Sequence, residues 1–185
     1  MTPVKTLDWS LDSKYLQGVT RGLDLVFIDA VTGKPLSTPA IVRDASWATV
    51  TVPVGFSVQG IWPDGDDSKP FDIPTVDRSA SERLLARGDE RGGVEVVFYP
   101  CTHQKRGARA AGGHASLVTK VRFTCDDQYL VTTGGFTRGV IQYKFKRLGA
   151  DENGLGVMVT ADADLPPPPA AETDPKPEPD EELAA

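Results

Sequence analysis

Short runs rich in β-branched and aromatic residues recur along the first 145 positions, at 23–28, 48–54, 56–62, 94–99, 117–123, 129–133 and 140–145. Such runs predict strands. Turn signals separate them: Thr32-Gly33, Pro63-Asp64-Gly65-Asp66-Asp67, Arg91-Gly92-Gly93, Cys125-Asp126-Asp127 and Gly134-Gly135. No stretch longer than about ten residues keeps an uninterrupted 3.6-residue apolar period, so helices are expected to be few. The pattern predicts an all-β fold.

The runs also repeat. Residues 113–145, GHASLVTKVRFTCDDQYLVTTGGFTRGVIQYKF, open on Gly-His. They continue through an apolar strand, an Asp-Asp turn, a strand ending in Gly-Gly and a strand closing on an aromatic. This is the layout of one WD-repeat blade, whose period is about 40–45 residues. Residues 55–99 give the same order with an insertion, Val58, Ile61 and Trp62 falling where Val118, Val121 and Arg122-Phe123 fall. Residues 6–29 give it a third time, with Trp9-Ser10 before a turn at Asp12-Ser13. The body, 1–150, is therefore expected to be a partial WD-repeat β-propeller of about three blades, over 6–45, 46–112 and 113–147. A blade is apolar on both faces because neighbours cover both. Three blades leave two ends to be covered by further blades from another copy or another chain.

In WD blades a buried set of His, Ser or Thr, Asp and Trp ties the strands together. The corresponding positions are His114, Thr133, Thr137 and Tyr143. Thr137 stands for the acidic member and Tyr143 for the Trp, so an incomplete network is expected, with a structural, neutral His114.

Four motifs appear in order from about Leu7 to Phe145. They are Leu7-Asp8-Trp9-Ser10 with Ser13-Lys14-Tyr15-Leu16; Trp47-Ala48-Thr49 followed by Gly55-Phe56-Ser57-Val58-Gln59-Gly60-Ile61-Trp62-Pro63-Asp64-Gly65; Tyr99-Pro100-Cys101; and the stretch from Gly112-Gly113-His114 to Gln142. Together they resemble the end of the echinoderm microtubule-associated protein-like family. The resemblance implies tandem propellers and association with microtubules or soluble tubulin, in the cytoplasm and its cytoskeleton, a cilium or flagellum among the candidate settings. The family's coiled coil and hydrophobic motif have no counterpart in these residues.

Charge changes the picture at the C-terminal end. Residues 151–185 carry ten Asp or Glu against one Lys, a charge of −9, which leaves 19 basic and 16 acidic side chains, +3, in residues 1–150. The terminal stretch also holds seven of the fifteen prolines and no aromatic residue, a composition that cannot offset backbone entropy by burial. A disordered acidic, Pro-rich tail is expected over 151–185, either a solubilising terminus or a docking peptide for a basic partner.

Chemistry-bearing motifs are weak. Cys101, His103, His114 and Cys125 lack the close pair of a structural zinc site. Asp64, Asp66 and Ser68 begin like a calcium loop, but Lys69 stands where Gly is needed. Gly88, Gly92 and Gly93 precede no Gly-Lys-Ser/Thr, and no Gly-x-Ser-x-Gly elbow occurs. No enzyme activity, metal or cofactor is expected, the two cysteines read as reduced thiols, and no apolar run reaches the roughly 18 residues that would signal a membrane span. Lys105, Arg106 and Arg109, with Lys144, Lys146 and Arg147, form the basic clusters. Without exposed stacking aromatics they suit an acidic protein, such as tubulin, better than nucleic acid. The function expected is a non-catalytic scaffold binding tubulin or microtubules; the alternative is a structural propeller fragment or generic protein-interaction scaffold with no tubulin affinity of its own.

Overall fold

The computed structural model describes residues 3–62, 72–103, 109–136, 138–146 and 157–160. The first sheet is a meander of β1 (Val4–Trp9), β2 (Tyr15–Thr20) and β3 (Leu25–Asp29). The second joins β4 (Thr75–Arg78), β5 (Leu84–Gly88), β6 (Val94–Phe98) and β7 (Arg109–Ala111). The third joins β8 (Val118–Phe123), β9 (Tyr129–Gly134), β10 (Val140–Lys146) and β11 (Val157–Thr160). All pairings are antiparallel. Among the described residues there is no α-helix, only the 3₁₀ turns Pro39–Val42 and Gln59–Ile61. The first sheet's fourth position is held by 34–36, where Pro35 bridges Ile28; proline donates no ladder hydrogen bond, so the strand goes no further.

One turn recurs between the first two strands of every sheet and fixes the equivalence of the repeats. The hydroxyls of Ser10, Ser79 and Thr124 accept the backbone N–H five residues on, from Tyr15 (2.9 Å), Leu84 (3.0 Å) and Tyr129 (3.1 Å). Three residues after each hydroxyl the backbone turns left-handed, at Ser13 (φ 59°), Glu82 (φ 57°) and Asp127 (φ 56°). Val4, Ile73 and Val118 are thus equivalent, as are Leu7, Val76 and Val121, and Asp8, Asp77 and Arg122. The second and third turns are 45 residues apart (79 to 124) and the first and second 69 (10 to 79). The excess is the irregular segment 39–62.

That segment differs from its sequence reading, which predicts strands at 48–54 and 56–62. Neither forms, because other groups take the hydrogen bonds a sheet would need. The buried Asp8 carboxylate accepts the N–H groups of Thr51 (2.9 and 3.0 Å) and Val52 (2.9 Å), and the hydroxyls of Thr49 (2.6 Å) and Thr51 (2.9 Å). Further on, Gly60 N–H donates to Cys101 O at 2.8 Å, and a Cβ on Gly60 would lie 2.4 Å from the His103 carbonyl oxygen. Only glycine fits so close to a backbone. Strand β4, which pairs with β5 as the second sheet's innermost strand, therefore comes from 75–78 and not from 56–62 as the repeat alignment places it.

The segment still contributes apolar side chains. Trp47, Val50, Val58 and Ile61 fill the space between Phe27 of β3 and Ile73, Val76, Leu85 and Val97 of the second sheet's edge, with Phe27 stacked between Trp47 and Phe56. A second core, Ala86, Val94, Val96, Val118, Val121, Leu130 and Tyr143, lies between the second and third sheets. The middle sheet is buried on both faces.

Residues 157–160 correct a further expectation. They lie within the stretch expected to be disordered, yet they pair with β10, Val157 opposite Lys146 and Thr160 opposite Tyr143. The run Val-Met-Val-Thr is strand-like locally, and the acidic, Pro-rich average around it conceals this. Residues 161–185 lie outside the described residues.

Replacing Asp8 by Ala strands the buried N–H groups of Thr51 and Val52, each worth roughly 1–3 kcal/mol when left unpaired. We expect D8A to lose about 3 kcal/mol in urea unfolding, with D8N intermediate. A loss below about 1 kcal/mol would show that water replaces the carboxylate without cost.

Candidate binding surfaces

The hydrogen-bonded set expected in the third repeat is assembled in part. His114 leaves the connection between β7 and β8 and is buried, its Nε2 2.8 Å from Thr132 Oγ1. Tyr143 is fully buried and donates its hydroxyl to Gly112 O at 3.4 Å. Gly113 lies directly beneath that hydroxyl, where a Cβ would approach to 2.7 Å. Thr133, the expected partner of His114, points to the opposite face and meets the Thr119 hydroxyl at 2.8 Å. This is a one-residue slip: strand side chains alternate, and Leu130 opposite Tyr143 puts Thr132, not Thr133, on the His114 side. Thr137 lies outside the described residues. Burial holds His114 below its ordinary value of 6.5, so the ring is neutral near physiological pH.

Carboxylates tie the sheets to one another. Asp77 on β4 accepts Phe123 N–H (2.8 Å) and the Arg122 guanidinium (2.6 Å) from β8. Burial pushes the Asp77 carboxyl up, against the downward pull of these two donors. Asp127 accepts the N–H groups of Ala80 (2.7 Å) and Ser81 (2.8 Å) in the turn of the preceding sheet. These contacts leave the carboxylates committed to structure.

The expected basic clusters are only partly visible. Lys105, Arg106 and Arg147 lie outside the described residues; Arg109 begins β7 and Lys146 ends β10. Lys144 sits on β10 with its ammonium 5.7 Å from the centre of the Tyr129 ring, within cation–π range. The cysteines and histidines do not converge. Cys101 is buried, its thiol pushed up by desolvation, while Cys125 is exposed in the β8–β9 turn. Among the described residues no three His, Cys, Asp or Glu side chains form a metal-binding group.

The two end faces of the stack carry signals the sequence reading did not assign to residues. On the first sheet's outward face, Val4 and Leu7 are each 52% exposed and Trp9 49%. The equivalents of Val4 and Leu7, which are Ile73 and Val76 in the second sheet and Val118 and Val121 in the third, are all at most 1% exposed, each pair beneath the layer that precedes it. Leu16, Val26 and Ile28 share that first face by register. On the third sheet's outward face stand Lys120, Arg122, Gln142 and Lys144, with Val140 68% exposed. One end is apolar, the other polar and cationic.

The sequence profile of the echinoderm microtubule-associated protein second β-propeller matches residues 1–145. The chain belongs to the echinoderm microtubule-associated protein family. It is 40% identical over 149 residues to mouse (Mus musculus) echinoderm microtubule-associated protein-like 3, covering 80% of this chain and 16% of that protein. It is likewise 40% identical over 140 residues to the 77 kDa echinoderm microtubule-associated protein of Strongylocentrotus purpuratus, covering 76% and 20%. The chain spans about a fifth or less of the length of these relatives. Among solved structures, the β-propeller domain of Cps50 (Swd1) from Myceliophteria thermophila superposes with a TM-score of 0.51, over 84% of this chain and 58% of that one, at 12% identity. That likeness bears on the fold alone. The three stacked antiparallel sheets are an open, partial propeller of the echinoderm microtubule-associated protein type, and a propeller of this type is a scaffold.

For such a scaffold the role of His114 is testable by pH. Its folded-state value is depressed, so the unfolded chain binds the proton more readily; the stability it contributes is complete above about 6.5 and is lost as pH falls through the folded value. The wild type should therefore lose stability below pH 6.5 faster than H114Q, which keeps a hydrogen-bonding group near the Nε2 position and cannot titrate. H114A should cost roughly 1–3 kcal/mol at pH 8. Parallel pH profiles for wild type and H114Q would rule this role out.

Proposed function

We propose that this chain is a non-catalytic WD-repeat scaffold that binds tubulin or microtubules and works in the cytoplasm and cytoskeleton. The match to the family's second propeller over residues 1–145 carries this reading, together with relatives whose names describe microtubule association. Charge supports it. Residues 1–150 are net positive, +3, with basic residues at Lys105, Arg106, Arg109, Lys144, Lys146 and Arg147, and tubulin is acidic. The chain should pellet with stabilised microtubules and be released as salt rises, since attraction between exposed charges is screened over about 8 Å at physiological ionic strength. The double reversal K105E/R106E should weaken pelleting several-fold with its unfolding midpoint unchanged. Absence of pelleting by the wild type at low salt would overturn the tubulin reading.

A second reading, a propeller fragment that completes another chain or copy, is favoured by one observation: the half-exposed Val4 and Leu7, at positions the other sheets bury, with the half-exposed Trp9 beside them. A contiguous apolar face of this kind marks an interaction site. The isolated chain should self-associate at micromolar concentration in sedimentation equilibrium, and L7E/W9E should shift it toward monomer while preserving its circular dichroism spectrum. A wild-type monomer that unfolds cooperatively would argue that the face needs no cover.

A further inference from the structure

The third sheet's outward face departs from the pattern of the second in a direction that points to its ligand. Register makes Lys120, Arg122, Tyr129, Val131, Gln142 and Lys144 the equivalents of Thr75, Asp77, Leu84, Ala86, Val96 and Phe98. The second sheet's face, where Ala86, Val94 and Val96 meet the next sheet with Leu84 and Phe98 packed against them, is apolar. In the third sheet the places of Val96 and Phe98 are taken by Gln142 and Lys144, and those of Thr75 and Asp77 by Lys120 and Arg122. None of these six residues is acidic. Among the described residues, three carboxylates of the second and third sheets are already engaged: Asp77 by Arg122, Asp126 by the Thr124 hydroxyl and Gln128 N–H, and Asp127 by Ala80 and Ser81.

A further apolar blade on this face would strip water from the Lys144 ammonium without giving it a counter-ion, which costs several kcal/mol. The first face of a second copy, built on Leu7 and Trp9, is equally ill-matched. An acidic segment matches, and the chain supplies one. Residues 161–185 carry eight Asp or Glu against Lys176, a net charge of −7.

We infer that residues 161–185 fold back on the cationic outward face of the third sheet, their carboxylates meeting Lys120 and Lys144. Reach permits it. β11 ends at Thr160, in the outermost strand of the same sheet. Crossing to the innermost strand covers three inter-strand spacings, about 14 Å. Eleven residues, the number in 161–171, can reach up to roughly 34 Å at about 3.1 Å per residue. Residues 172–182 are then within range of both lysines. Tethering raises the local concentration to the millimolar range, so a weak individual contact suffices. The occupied face is closed to other acidic chains, and this contact stands whether or not the chain binds tubulin.

Carbodiimide cross-linking of the full chain, read by mass spectrometry, tests this directly. Amide links from Lys120 and Lys144 to Glu172, Asp174, Glu178, Asp180, Glu181 or Glu182 are expected, within one chain and independent of protein concentration. Raising salt from 20 to 500 mM should lower their yield about fivefold or more, because the Debye length falls severalfold. In the K120Q/K144Q variant, which removes both acceptors, protection of β8–β10 amides against hydrogen exchange should fall to the level the wild type shows in 500 mM salt. Links that form only between chains would assign the face to a second copy. Links elsewhere with none from Lys120 or Lys144 to 161–185, or amide protection unaffected by salt, would refute the inference.

Discussion

A β-sheet that is apolar on both faces has to be covered on both, and the second sheet states that constraint most clearly. Leu85 and Val97 close one core while Ala86, Val94 and Val96 close the other, so the sheet has no outside. The rest of the molecule follows from supplying its covers. On one side this is a third sheet in the same register; on the other it is the irregular segment 39–62, which brings Trp47, Val50, Val58 and Ile61 to the layer without forming strands. The end sheets inherit the same pattern with one cover each. Their outward faces solve the remaining exposure differently, the first by staying apolar and the third by turning polar.

Burial alone does not set how the layers align, since apolar contact is non-directional. Alignment comes from carboxylates at the inner strands. Asp8 holds the irregular segment to β1 and Asp77 holds β8 to β4, from equivalent positions, and Asp127 locks one turn to the next. Each carboxylate accepts from at least two donors, and an acceptor with several fixed partners specifies geometry. Arg78 adds a link of the opposite sign, donating to the carbonyls of Trp47 and Ala48.

Much of this was legible in the sequence, and the failures have identifiable causes. The strands at 25–29, 94–98, 118–123, 129–134 and 140–146 follow from alternation and β-branched content, and two of the three repeated turns from Asp12-Ser13 and Cys125-Asp126-Asp127; the equivalent turn at 79–82, without an Asp or Gly, does not. Strand β4 escaped notice because Thr75-Val76-Asp77-Arg78 offers one apolar residue in four, after a proline. The runs 48–54 and 56–62 look like strands because their side chains are core side chains; only Asp8 and His103, far away in the chain, divert their backbones. His114 and Tyr143 were found from the repeat, while the choice of Thr133 over Thr132 turned on a register that two adjacent threonines leave ambiguous. The chemical contrast between the end faces needed the equivalence of the repeats, which the insertion in the first one blurs.

The Asp8 carboxylate has one more consequence, for synthesis. Its partners Thr49, Thr51 and Val52 follow it by 41–44 residues. At roughly 5–20 residues per second the ribosome needs roughly 2–9 s to make that interval, whereas a hairpin such as β1–β2 closes in microseconds. For those seconds the emerging first sheet carries an aspartate without its donors beside an apolar face without its cover. The first sheet therefore depends on protection through this interval, and the step that ends it is the emergence of an irregular loop, not of the next strand.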